Sequence, residues 1–188
     1  MSIKASVHQP NLMPNWGYFY KMSQSDIFII LTQCQYEKNG FTNRYFLHKT
    51  GQYVTKPINN GMEPIYTKSY TDGLKLVPHN MKLIQWVMET LGIKTKLVYD
   101  IPTNSFGTER LIENLKHYGA DVYVTSPTAK NRYLDEDLMR KSGIEIEYSK
   151  PEFGELNILE MFERFGIDGT KKQLYKRKEE LCEASVNS

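Results

Sequence analysis

From residue 108 to residue 148 the chain alternates amphipathic runs with short apolar ones, which restricts it to a layered α/β architecture. Leu111, Ile112, Leu115 and Tyr118 share one helical face, and Gly119 suits the residue that ends a helix. The pattern predicts a helix over 108–118 with Thr108 as its N-cap, a strand over 121–125, a helix over 134–141 and a strand over 144–148. Strand–helix alternation of this kind builds a mostly parallel sheet.

The rest of the chain extends the pattern. IKASVH (3–8) reads as a strand, and QPNLMPNWG after it as a proline-rich loop. Residues 16–23 suit a short helix. DIFIILTQCQ (26–35) reads as a buried strand because its apolar residues are contiguous. Asn39–Gly40 marks a turn, and residues 41–58 read as a hairpin around Lys49–Thr50–Gly51. Residues 59–80 show little periodicity. From Asn80 a helical pattern runs to Gly92, followed by a strand at 94–100 and, later, a helix at 156–165. The expected fold is a single α/β domain with a mostly parallel, Rossmann-like sheet flanked by helices and an N-terminal hairpin insertion. Its expected extent is residues 1–169, with 170–188 as a charged tail.

Several function classes are excluded at this level. The 188 residues include only two cysteines, Cys34 and Cys182, too few for a disulfide scaffold. Cys34 lies in an apolar run that argues for a buried, inert thiol. His8, His48, His79 and His117 lack metal-binding spacing, and no metal or cofactor is specified. There is no Gly-rich dinucleotide fingerprint, no P-loop and no nucleophile elbow. With no signal peptide and no run long enough to span a bilayer, the expected compartment is the cytoplasm. Charge is uneven. Residues 1–60 hold six Lys+Arg against two Asp+Glu, and the remainder 18 against 20. An N-terminal basic region attracts phosphate or carboxylate, so the expected partner is an anionic or nucleotide-linked small molecule, with nucleic acid as a second candidate. The 13 tyrosines suit either a recognition surface or a composition bias.

Three segments carry candidate chemistry. In the first, a strand delivers His8, Gln9 and Pro10 to the sheet end where ligands of open α/β sheets bind. His8 can act as an acid, a base or a phosphate donor, and Lys21 can add a point charge. Tyr18 and Asp26 belong to the same segment. A lone strand-end histidine is also what an ordinary surface group looks like. In the second, Gln35, Tyr36, Asn43 and Arg44 crowd hydrogen-bonding groups beside an apolar run, with Arg44 able to clamp a carboxylate or phosphate. An ordinary polar hairpin would read the same way. In the third, Ser126, Lys130 and Tyr133 follow a strand end, with Thr108 and Arg110 in a weaker loop before them. Asp135, Glu136 and Asp137 suit a helix's first turn. All three segments are expected to converge on one concave wall.

These residues resemble the WbqC-like family. His8-Gln9-Pro10, Pro14, Gly17-Tyr18-Phe19, Lys21, Ser25-Asp26, Gln35-Tyr36 and Asn43-Arg44 match its N-terminal pattern. Thr108-Glu109-Arg110-Leu111-Ile112, Gly119-Ala120-Asp121 and Ser126-Pro127 through Leu134 resemble its later pattern. The resemblance runs over most of 5–165. A Gly between Ser126 and Pro127 is absent here, residues 59–92 are shorter than in the family, and the tail after Gly169 has no counterpart. The opening also resembles that of Rossmann-like nucleotidyltransferases at the level of fold.

The resemblance implies a biosynthetic role near enzymes of bacterial surface polysaccharides such as O-antigen. The implied chemistry is transfer of an amino-acyl or acyl group onto an amino sugar or nucleotide-linked acceptor. Phage relatives imply a second option, an amino acid transferase acting on a modified nucleotide or DNA base. A non-catalytic nucleotide or sugar-precursor binding module is the third. For the transferase, His8, Lys21 and Arg44 are the expected catalytic groups. Gln9, Pro10, Tyr18, Asp26, Gln35, Tyr36, Asn43, Thr108, Arg110, Ser126, Lys130 and Tyr133 are the expected substrate-binding ones.

Overall fold

The strand β2 (Ile27–Ile30) is apolar at every position because helices cover both of its faces. Phe28 and Ile30 enter one buried cluster and Ile29 the other, the two-residue alternation of a strand. The computed structural model describes residues 2–59 and 64–186, with 177–186 as backbone. Part of the irregular stretch expected at 59–80, residues 60–63, and the side chain of Cys182 lie outside what is described.

Five parallel strands form the main sheet in the order β5-β2-β1-β6-β7. They are β1 (Lys4–His8), β2, β5 (Lys96–Tyr99), β6 (Val122–Thr125) and β7 (Glu145–Tyr148). A separate antiparallel ribbon pairs β3 (Arg44–Leu47) with β4 (Gln52–Thr55). On one side of the sheet, α1 (Trp16–Ser23), α2 (Leu76–Leu91) and α5 (Ile158–Val186) enclose a cluster that includes Trp16, Phe19, Ile84, Val87 and Met161. On the other, α3 (Gly107–His117) and α4 (Glu136–Lys141) pack Leu111, Leu115 and Met139 onto Ala5, Val7 and Tyr123. The fold is the expected single α/β domain with a hairpin.

Three local expectations are corrected. The strand expected over 26–35 ends at Ile30, because the Asp100 carboxylate captures the amides of Thr32 and Gln33 and turns the chain away. The helix expected from Asn80 begins at Leu76, where Pro78 is tolerated in a first turn whose N–H groups need no helical partner. Thr108 is not an N-cap. Phe106 holds that position without a capping side chain, while the Thr108 hydroxyl donates to the Tyr133 carbonyl (2.9 Å) and accepts from the Asp135 amide (2.8 Å). Helix ends follow the glycines as expected, with Gly92 at φ 72° and Gly119 at φ 69°. α5 kinks at Gly166, beyond which Thr170 and Leu174 are buried.

The order of the strands defines a topological switch point. From β1 the chain builds outward through β2 and β5, then returns to place β6 and β7 on β1's other side. The β1–β2 ladder continues to His8↔Ile30, whereas the β1–β6 ladder stops at Ala5↔Tyr123. Past Ala5 a side-chain bridge takes over from the ladder, the Ser6 hydroxyl donating to the Val124 carbonyl at 2.9 Å. In open α/β sheets, ligands bind beside such a switch point.

Candidate functional site at the β1–β6 switch point

His8 closes β1 beside this switch point. Its Nδ1 lies 3.2 Å from the Gln9 carbonyl, and its ring meets Tyr18 edge-on at 4.9 Å. A carbonyl only accepts, so Nδ1 carries the proton and Nε2 is left with a lone pair. Burial, and then the nearby Lys21 ammonium, lower the His8 pKa to about 3, offset in part by the Gln9 carbonyl. His8 is therefore a neutral imidazole near pH 7.

Lys21 comes from α1, on the turn after Tyr18. It is 6% exposed, lies over the Phe28 ring, and makes one long hydrogen bond of 3.5 Å to the Val7 carbonyl. Among the described residues no carboxylate pairs with it. Burial brings its pKa down to about 8, so it remains mostly charged at neutral pH.

The loop that carries Gln9 and Pro10 is held from several directions. Asn80 of α2 donates to both the Pro10 and Thr42 carbonyls at 2.7 Å and accepts from the Tyr70 hydroxyl at 2.5 Å. The Leu12 amide bonds the Phe41 carbonyl, and Asn157 reaches the Met13 carbonyl at 2.7 Å. Met13 sits at φ 41°, a left-handed backbone that these bonds hold in place. Asn15 caps α1, and Gly17 is required there because a Cβ would stand 2.9 Å from the Gly154 carbonyl. Asn80→Ala is expected to cost about 2 kcal/mol by stranding buried carbonyls. Urea denaturation checks the cost, and faster amide exchange at residues 10–12 checks the loosening.

Beyond β2 and β5, Asp100 is buried and accepts from the Thr32 amide (2.7 Å), the Thr32 hydroxyl (2.9 Å) and the Gln33 amide (3.3 Å). The Arg110 guanidinium of α3 pairs with its other oxygen. Both charges are felt by the Cys34 thiol, which also hydrogen bonds Gln9 and which burial pushes up to about 11. The thiol is thus protonated and unreactive at neutral pH. Sequence reasoning missed Asp100. Its signal was an acid ending a β-strand, indistinguishable in the chain from a turn residue.

The other expected residues lie in separate groups. On the ribbon side, Tyr36 donates to Asn43 (2.8 Å), and Asn43 to the Lys56 carbonyl (3.0 Å). Arg44 bonds the Asn39 carbonyl and stacks over Tyr53 at 4.0 Å, and Gln35 bridges Pro64. Beyond β6, Ser126 bonds Thr128 (2.7 Å), Lys130 pairs with Glu136 (3.0 Å), and the Tyr133 and Tyr123 hydroxyls are 3.5 Å apart. Tyr148 donates to Glu136, and burial together with that carboxylate pushes its pKa up to about 12. Asp26 is at the opposite end of the sheet, where it accepts from the Lys4 amide at 2.8 Å. Two open depressions of about 330 and 340 Å³ run along α5, and His8, Arg44 and Lys130 line neither. The structure groups His8, Gln9, Tyr18 and Lys21 tightly, while Arg44 and Lys130 are each held by partners of their own.

The chain is an α/β protein with a Rossmann-like parallel sheet that carries a neutral imidazole and a buried ammonium at its switch point. The model of the WbqC-like protein family matches residues 9–63 and 49–156, and the chain belongs to that family. It is similar, at 25% identity over 191 residues, to the uncharacterised protein Rv1507c of Mycobacterium tuberculosis (strain ATCC 25618 / H37Rv). That match covers 77% of this chain and 81% of the relative. No solved structure matches the chain significantly.

Proposed function

We propose that the protein transfers an amino-acyl or acyl-type group onto an amino sugar or nucleotide-linked acceptor at the β1–β6 switch point. The observation that carries this reading is the Lys21 ammonium, buried beside His8 with no carboxylate partner among the described residues. A buried charge without a counterion is costly, and an anionic group of the substrate would offset that cost. The acyl-type chemistry itself comes from the family resemblance.

In this reading the acceptor's amine or hydroxyl faces His8 Nε2. As the acceptor attacks the carbonyl carbon, its N–H or O–H proton passes to Nε2. The new C–N or C–O bond replaces the bond to the leaving group, which departs with its electron pair and takes up the proton. An imidazole held near pKa 3 is a weak base. A substrate anion beside Lys21 screens the ammonium and raises the imidazole toward the range in which a base works best. Gln9 and Tyr18 orient the acceptor, and Arg44 and Lys130 exchange their present partners for substrate oxygens.

His8→Ala and Arg44→Ala are expected to lower turnover at least a hundredfold, the scale of a lost base or charge clamp. Mass spectrometry of pooled sugar nucleotides, amino acids and acyl donors incubated with the protein checks this. Undiminished product formation in both variants removes the site assignment. The low basicity of His8 also favours a second reading, a binding module without turnover. That reading expects ligand-dependent thermal stabilisation with every ligand recovered unchanged.

A further inference from the structure

The β3–β4 ribbon carries a set of aromatic rings that the transfer reading does not use. Its rings form a continuous row. Phe41 and Tyr53 are 6.4 Å apart, Tyr53 and Phe46 are 5.0 Å apart, and Phe46 and His48 are 4.9 Å apart. Phe46 and Tyr53 are cross-strand partners, so they share one face of the ribbon. Phe41 is 47% and Tyr53 48% exposed, although burying two rings of this size would be strongly favourable. The Arg44 guanidinium lies flat over Tyr53 at 4.0 Å and continues the row as a planar cation. All four residues of β4 are exposed.

Charge selects the occupant. Residues 37–56 contain Lys38, Arg44, Lys49 and Lys56 against the single acid Glu37. Lys49 and Lys56 are tied to Glu163 and Asp72, whereas Arg44, among the described residues, hydrogen bonds only Asn39. Exposed rings interleaved with cations fit a strand of unpaired bases, whose flat faces stack while the phosphates meet the cations. The row of rings is longer than one base, which favours a polynucleotide over a mononucleotide.

We propose that this ribbon face binds single-stranded nucleic acid, stacking successive bases on Phe41, Tyr53 and Phe46 beside Arg44. A duplex hides its base faces and binds poorly here. The ribbon shares Arg44 with the transfer reading, but Phe41, Tyr53 and Phe46 take no part in it, so His8→Ala leaves oligonucleotide binding intact.

Fluorescence anisotropy of the full chain with a labelled oligothymidylate of about twelve nucleotides tests the proposal. The expected result is saturable binding that weakens about tenfold between about 50 and about 200 mM salt. Tyr53→Ala is expected to weaken it at least tenfold, on the scale of one lost stack, while Tyr53→Trp retains it. Tyr53 is exposed, and matching circular dichroism spectra confirm that the variants are folded. Phe41→Ala serves as a second, independent loss. The proposal is overturned by no binding at about 50 mM salt, by equal affinity for duplex, or by binding indifferent to both alanine variants. It is equally overturned if a mononucleotide competes as well as the oligomer, or if the wild type is a dimer that Tyr53→Ala dissociates. Loss of oligonucleotide binding in His8→Ala would also refute the ribbon as the binding surface.

Discussion

Asp100→Ala is expected to destabilise the protein by about 3–5 kcal/mol, the scale of a buried ion pair broken from one side. The Asp100 side chain is fully buried, and that of Arg110 is only 14% exposed. Removing the carboxylate leaves the guanidinium in the interior without its counter-charge. It also orphans the amides of Thr32 and Gln33, which end β2. For a chain of this size the melting temperature falls by roughly 6–20 °C. Thermal melts followed by circular dichroism read the loss directly. The double variant Asp100→Leu/Arg110→Met is expected to recover most of it, because no isolated charge then remains. If the single variant melts within a degree or two of the wild type, the pair does not hold the loop after β2.

Lys21→Met is expected to act in the opposite direction, stabilising the protein by about 1–3 kcal/mol while abolishing its activity. The lysine is 6% exposed with one marginal hydrogen bond, so the folded state bears the cost of its charge. The pH dependence has a definite sign. Lys21 has a pKa near 8 when folded and 10.5 as its ordinary value, so between these pH values the unfolded chain binds more protons. Wild-type stability therefore gains from this group as pH rises from about 8 to 10.5, at up to about 1.4 kcal/mol per pH unit. The variant lacks that gain, so its advantage shrinks across the same window. His8 sets the acid side. With a folded pKa of about 3 against 6.5, it contributes stability above pH 6.5 that is lost as pH falls toward 3. In Lys21→Met the His8 ring is expected to titrate at higher pH, because the ammonium beside it is gone, and imidazole NMR shifts follow this. A variant that is less stable than wild type at pH 7 would show that Lys21 has a structural partner and is not awaiting an anion.

The resemblance at residues 8–44 is legible because its residues have local reasons. Asn15 caps α1. His8 ends a strand whose continuation Pro10 forbids. The apolar run at 26–35 read too long because hydrophobicity does not report where the partner strands stop. Thr108 looks like a cap in the chain, but its hydroxyl is drawn to residues 133–135, a segment brought close only by folding.

The order of apolar and polar residues, with glycine and proline as punctuation, was enough to specify an α/β chain, most of its elements and the stretch bearing His8 and Lys21. Periodicity and backbone allowance are properties of neighbours along the chain, and they survive without any knowledge of packing. Which charges neutralise one another was settled by folding. Arg110 met Asp100, Lys130 met Glu136, and Lys21 met no acid among the described residues. An electrostatic energy depends on distance and burial in space, and residue spacing does not encode either.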